Sequence, residues 1–423
     1  MKKTNMNRRE FNTLATSLGL LTFGAPLKSI LANENIENAS IEGKKLIILS
    51  LHGGCDTLNA FIPKQDNEYK KYKEYRSNIA IRENMLALKN NDNFVLHGKL
   101  EGLQSIYTEG DLAFFPATHC LNKDQISRNV KANRSHFYQL DLFERAGTTG
   151  DDVTEYTGWL AKYLNSKGDI HPQDNDINAF DFYAEGRVFE GSRIPVLGLD
   201  NPGKIEIAKV KNLIEDELNH KVRHQQDLAF STTQNALFKR LARLTNIPKE
   251  VEENDSYPKT TLGLQFKQTS KMLKQFEELE VVQLVMGGWD THANQKNTQD
   301  KLFEDLDKSL KAFYDDNSGL DNVMVVVQTE FGRTLQVNGT NGTDHGQASA
   351  WFVIGGSVNG GQRGEWKSLT EYEEGDRYIE QKTDYRDILG TILEGHMGMS
   401  KNKVRNLFNG YKYTYNEDFI PSS

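Results

Sequence analysis

The sequence predicts a single three-layer α/β/α domain with a mostly parallel sheet. Three observations predict it. Short apolar runs at 45–51, 281–286 and 322–329 stop abruptly at acids, often after glycine, and a further apolar run lies at 112–118, as expected of strands covered on both faces. Segments between such runs carry helical spacing; Leu302, Leu306 and Leu310 fall on one face of a helix expected over 295–314. Strand, loop and helix alternate through the C-terminal half without a repeat of fixed period, the order that builds parallel sheets with helices on both faces.

In chain order, KLIILSL (45–51) and LAFFPAT (112–118) are expected strands, and a helix is expected over 134–145, where Phe137, Leu140 and Phe143 are close to helical spacing. IPVLGL (194–199) is a further strand. A polar helical pattern over 212–246 gives way to a loop at 246–259, marked by its prolines and acids. A helix over 262–279, the strand VVQLVM (281–286) and the helix over 295–314 follow. The strands NVMVVVQT (322–329) and AWFVIGG (350–356), then a helix over 384–398, complete the order. Nothing in composition separates a second domain, although 160–260 has the makings of an insertion that caps a site.

Of the 423 residues, 37% are hydrophobic and 26% charged, which excludes a disordered chain. The formal charge of −8 comes from interspersed residues of both signs, so there is no basic stripe for nucleic acid. Two cysteines, Cys55 and Cys120, cannot form a disulfide framework. They are either one bridge in an exported protein or two buried thiols that pack as small hydrophobes.

Residues 7–32 have the layout of an export signal. Arg8 and Arg9 precede Phe11, an apolar run extends from Leu14 to about Leu27, and small residues such as Ala32 follow. The run is too short and interrupted to span a bilayer. The paired arginines resemble a twin-arginine signal, with an ordinary secretory signal as the alternative. Residues 1–34 are therefore set apart as signal and linker, and 35–423 as the mature domain. This implies the twin-arginine export machinery as a partner, a periplasmic or cell-envelope location, and no stable transmembrane span in the mature protein.

The expected strand ends carry the chemistry. HGGCD supplies Asp56, GGWDTH supplies Asp290 and His292, EFGR supplies Glu330, and GTDHG supplies Asp344 and His345. Ligands of open α/β sheets bind beyond the carboxyl ends of the strands. Carboxylates with imidazoles suit divalent metals, which polarise an ester oxygen or activate a nucleophile. Any one of these acids could instead be a turn residue or a helix N-cap; the repetition at several strand ends favours a site. Ser135, at an expected helix start, is either an N-cap or a nucleophile beside free helix amides. Arg333 is either a clamp for phosphate or sulfate or the partner of Glu330 or another acid. His97 reads as structural, and GGSVNGG (355–361) as a turn.

At LHGGCDTLNAFIP, NRSHF, TGWLAKYL, GGWDTHANQ, TEFGRT, GTDHGQA and DYRDIL the sequence resembles the bacterial family called domain of unknown function 1501. Members of that family look like relatives of sulfatases and alkaline phosphatases. The resemblance runs from about Lys44 to Tyr411. It implies an alkaline-phosphatase-like fold, with Asp56 as the first acid and Ser135 at the nucleophile position. It further implies Asp290, His292, Glu330 and His345 as metal ligands for one or two divalent ions: zinc, manganese or calcium. Two departures bear on this. Phe331 stands where the phosphatases have a histidine ligand, and the DTH spacing is shorter than their Asp-x-x-x-His. Cys55 replaces a more usual Asn and lacks the flanks of a formylglycine precursor. The expectation is an exported metal-dependent hydrolase of phosphate or sulfate esters, small-molecule or polysaccharide. The alternative is a non-catalytic envelope protein that keeps the fold for binding.

Overall fold

The protein is described by a computed structural model covering residues 43–121, 133–147, 157–167, 176–183, 186–198, 239–240, 243–244 and 256–421. The expected export signal and most of the 212–246 helix lie outside the described residues.

The strands are β1 (Lys45–Leu51), β2 (Phe61–Pro63), β3 (Leu86–Ala87), β4 (Phe94–Leu96), β5 (Leu112–His119), β6 (Ala179–Asp181), β7 (Val196–Gly198), β8 (Val281–Met286), β9 (Val323–Thr329), β10 (Ser349–Ile354), β11 (Gly361–Gln362) and β12 (Thr383–Asp384). The helices are α1 (Asp66–Arg76), α2 (Glu101–Glu109), α3 (His136–Glu144), α4 (Trp159–Asn165), α5 (Thr261–Gln275), α6 (Gln295–Asp316), α7 (Tyr385–Gly395) and α8 (Lys401–Leu407).

One nine-stranded sheet runs β11-β5-β10-β9-β1-β8-β6-β7, with β12 also paired to β5. β10 alone among these opposes its neighbours, pairing antiparallel with β5 and β9; the pairs around β1 and β6 are parallel. A small antiparallel sheet, β2-β4-β3, sits apart. β1 is buried along its whole length, as a central strand with both faces covered must be. Its side chains divide by parity: Ile47, Leu49 and Leu51 pack with Leu103 of α2, Phe266 of α5 and Phe303 of α6. Leu46 and Ile48 pack on the other face with Leu142 of α3, Leu160 of α4, Ile388 of α7 and Val404 of α8. That partition is the three-layer α/β/α arrangement the apolar runs predict.

The described part of the 160–260 stretch continues the sheet: β6 and β7 form its edge beside β8, and Leu160 and Tyr163 of α4 are core residues. It is not a cap there, because Ala179 and Phe180 pair with Val281 and Val282 in ordinary parallel register. Cys55 and Cys120 are both buried and are not bridged to each other, which resolves the choice in favour of two packed thiols. Among the described residues no helix is long and apolar enough to cross a membrane.

Candidate metal centre

The carboxyl ends of β1, β8 and β9 lie side by side, since Leu51 pairs with both Met286 and Thr329. The loops leaving these strands therefore meet over one stretch of sheet edge. The loop leaving β9 is also the one that enters β10, because β10 runs the other way and begins at that edge; Arg333 and His345 form an isolated bridge within it. The fourth contributor is the start of α3.

Asp290 Oδ1 is the focus. His292 Nε2 lies 3.0 Å from it, His345 Nε2 3.2 Å and His136 Nε2 3.4 Å. The ligand atoms of His136, Asp290 and His345 all fall within 4.8 Å of one another, and His292 Nε2 is also 3.0 Å from His345 Nε2. His136 was not among the residues singled out from sequence. The NRSHF motif drew attention to Ser135, while the imidazole that enters the site belongs to its neighbour.

Each imidazole is held from behind. His136 Nδ1 is 2.6 Å from Glu330 Oε1, and His345 Nδ1 is 2.7 Å from the Arg134 carbonyl oxygen. Both acceptors require Nδ1 to carry the proton, which leaves Nε2 of the neutral ring as a bare donor to a metal. His292 Nδ1 is 3.5 Å from Asp344 Oδ1. Phe331, fully buried, stacks obliquely against the His136 and His345 rings at 4.7 and 4.8 Å. Phe331 is thus an apolar wall that fixes two imidazole planes.

The charges are tuned by these contacts. Burial works against ionisation of Asp290, but the Arg333 hydrogen bond and charge, with His136 and His292, outweigh it and push the carboxyl down to about 2. Burial alone would lower His136; the Glu330 hydrogen bond and charge, with Asp290, hold it above the usual imidazole value. Burial, together with the His136 and Arg333 charges, lowers His345. Cys55 is pushed up by burial first and by Asp56 second, so it is no thiolate nucleophile.

Arg333 is not free to clamp a substrate. Its guanidinium is buried and donates to Gly54 O at 2.6 Å, Thr343 O at 3.0 Å, Trp289 O at 3.0 Å and Asp290 Oδ1 at 2.6 Å, and also to Gly53 O. Of the two roles open to it, pairing with an acid is the one the structure gives, and the acid is Asp290 rather than Glu330. Gly53, at φ 117°, makes this packing possible: a Cβ there would stand 2.4 Å from the Asp290 amide nitrogen.

The other expected ligands lie behind the centre. Glu330 is buried, accepts the Gly53 N–H at 2.8 Å and the Thr329 hydroxyl at 3.1 Å, and turns its remaining capacity to His136. Asp56 is fully buried: Oδ1 accepts from Arg76 at 2.7 Å, and Oδ2 accepts from Gln295 at 2.5 Å. It stands outside the His–Asp group because both oxygens face these partners. Ser135 is the exposed N-cap residue of α3, and its hydroxyl caps no helix amide. It nevertheless sits between the two residues that bind the centre, Arg134 through its carbonyl and His136 through its ring. His97 pairs with Asp300 at 3.1 Å, away from this centre, as its structural reading implies.

Would these residues suit a metal? His136 Nε2 is buried and has no hydrogen-bond partner, a costly arrangement unless something accepts its lone pair. An imidazole-rich group with one carboxylate, each ring fixed through Nδ1, matches the donor set of zinc-class divalent ions. The residues fit.

Fold and site together define an α/β protein with a histidine–aspartate cluster at the carboxyl edge of its sheet. The chain belongs to the family described as Protein of unknown function (DUF1501), whose match spans residues 203–419. A search of curated proteins finds no match. Among solved structures, alkaline phosphatase from the Antarctic bacterium TAB5 is 10% identical over 75% of this chain and 93% of its own, with a TM-score of 0.29. A magnesium-bound variant of that enzyme is 11% identical over 74% and 91%, with a TM-score of 0.30. The lipoteichoic acid synthase LtaP from Listeria monocytogenes is 10% identical over 88% and 80%, with a TM-score of 0.28. These likenesses are too slight to carry over a residue role, and the α/β assignment rests on the strand order itself.

Proposed function

We propose that this protein is an exported hydrolase of phosphate or sulfate esters that uses one divalent metal ion held by His136, His292, His345 and Asp290. The observation that carries the proposal is the convergence of three Nε2 atoms on Asp290 Oδ1 within 3.4 Å. The ion would supply Lewis acidity, drawing charge from an ester oxygen. Glu330, Asp344 and the Arg134 carbonyl orient the imidazoles; Arg333 holds Asp290 ionised and fixed. Ser135 is the proposed nucleophile: its oxygen would bond to phosphorus or sulfur as the ester's alkoxide leaves and takes up the serine proton. Water would then release the inorganic anion and restore the hydroxyl, and the amides at the start of α3 would favour the negative charge. The resemblance drawn from the motifs supplies the ester class, and the leader supplies export through the twin-arginine machinery to the periplasm or envelope.

The test is metal analysis of the mature protein together with hydrolysis of p-nitrophenyl phosphate and p-nitrophenyl sulfate. About one zinc-class ion per chain is expected, with turnover of one of the two esters. Ser135→Ala should lose turnover and keep the metal, and His345→Ala should lose both. Full metal content in a folded His136→Ala, His345→Ala double variant would refute the centre.

Among the described residues the Ser135 hydroxyl is hydrogen-bonded to no base, and it does not cap the helix it precedes; that observation favours a second reading, a metal-bearing envelope protein that binds without catalysis. It predicts a filled centre and no ester turnover at any metal loading.

A further inference from the structure

A second set of buried oxygens lies at the far end of α3. Glu144, the last residue of that helix, Asp181 at the end of β6 and Gln283 in β8 are all buried. Asp181 and Gln283 are register partners on adjacent strands. Each carboxylate is anchored by one oxygen to a backbone amide: Glu144 Oε2 accepts from Arg187 N at 2.9 Å, and Asp181 Oδ1 from Tyr183 N at 2.7 Å. Among the described residues no lysine or arginine forms an ion pair with either acid.

Gln283 is 1% exposed, yet its Oε1 has no hydrogen-bond partner. Its Nε2 lies 3.4 Å from Glu144 Oε1. A Cβ built on Gly186 would lie 3.1 Å from Glu144 Oε1 and 3.2 Å from Gln283 Oε1. Two oxygens with unused capacity therefore border one small space that a glycine leaves open. Burial raises both acids, Glu144 to about 7 and Asp181 well above the usual carboxylate range, and the Glu144 charge raises Asp181 as well.

The Arg187 charge acts on Glu144 only from outside ion-pair distance, and two carboxylates buried without an ion pair among the described residues are costly unless they are neutralised. A proton satisfies one acceptor and leaves the Gln283 carboxamide oxygen orphaned. A cation satisfies all of them together. We propose that Glu144, Asp181 and Gln283 form a second, oxygen-only site for a hard divalent cation of the calcium class, separate from the imidazole centre. The site lies at the C-terminal end of α3, where the helix dipole also favours positive charge. An ion there pins the end of the helix whose first residue is His136.

The test is calcium titration of the full chain by isothermal titration calorimetry, after the imidazole centre has been saturated with zinc. Saturable binding of about one calcium per chain is expected. Asp181→Asn should weaken it at least tenfold. Gly186→Ala, which fills the open space without changing charge, should do the same, while His136→Ala should leave it intact. Circular dichroism establishes that each variant is folded, and Gly186→Ala serves if Asp181→Asn is not. Absence of saturable calcium binding overturns the proposal and leaves a proton-sharing acid pair. Binding that survives both Asp181→Asn and Gly186→Ala, or that disappears with His136→Ala, overturns it as well.

Discussion

Glu330 Oε1 meets His136 Nδ1 at 2.6 Å across 194 residues of sequence. The contact ties the end of β9 to the start of α3, and it decides which nitrogen of His136 faces Asp290. A carboxylate behind a ligating imidazole fixes its tautomer and raises its basicity. Glu330→Gln should therefore weaken zinc binding by about 10- to 100-fold while leaving the fold intact. Competition with a chromogenic chelator measures this. Unchanged affinity would show that Glu330 does not orient the ligand.

Arg333 is buried among four backbone carbonyls and Asp290. Arg333→Met keeps the volume and removes every donor. Asp290 is about half exposed, so the loss falls on the buried carbonyls: each acceptor left unpaired costs about 1–3 kcal/mol, and urea denaturation should show a loss of at least about 3 kcal/mol. A loss below about 1 kcal/mol would mean that water replaces the guanidinium, contrary to its burial.

Asp56 and Arg76 form a wholly buried pair at 2.7 Å. Asp56→Ala should destabilise by about 3–5 kcal/mol because it leaves the Arg76 charge buried and unpaired, without changing the metal content of the folded fraction. Metal analysis at low temperature separates the two effects. Loss of the ion from a folded Asp56→Ala protein would return Asp56 to the ligand set.

Two buried histidines away from the centre should contribute to the loss of stability in acid. Burial pushes His119 down to about 3 and His396 down to about 4. His396 Nε2 donates to the Lys45 carbonyl at 3.0 Å, which requires only the neutral ring. Both folded values lie below the unfolded value of about 6.5. Their stabilising contribution is therefore complete above pH 6.5 and is lost as pH falls toward 4, because only the unfolded chain takes up the protons. Each group contributes a slope of about 1.4 kcal/mol per pH unit in that window. Urea midpoints for His396→Gln should fall less steeply between pH 6 and 4 than those of the parent. Equal slopes would remove His396 from this account.

The long buried strands were readable because their signal is local. KLIILSL and VVQLVM became β1 and β8 with the expected bounds, since an unbroken apolar run bounded by polar loops has little else to become. The helix α1 was not readable. Its sequence DNEYKKYKEYR is largely polar, and it earns its place through Tyr72 and Arg76, whose burial depends on distant residues. The two-residue pairings of β11 and β12 with β5 were hidden for a similar reason: so short a strand has no period of its own.

By itself the sequence determined the layered α/β class, the strand ends where chemistry gathers, and the presence there of Asp290, His292, Glu330 and His345. Those follow from runs and spacings along the chain. Tertiary structure alone decided which of these side chains meet. It brought in His136 in place of a glance at Ser135 alone, set Glu330 behind the centre, and enclosed Asp56 with Arg76 and Arg333 with Asp290. The physical reason is that ligation and burial depend on where side chains from separate strands and helices converge, and strand order, which no local pattern encodes, fixes that convergence.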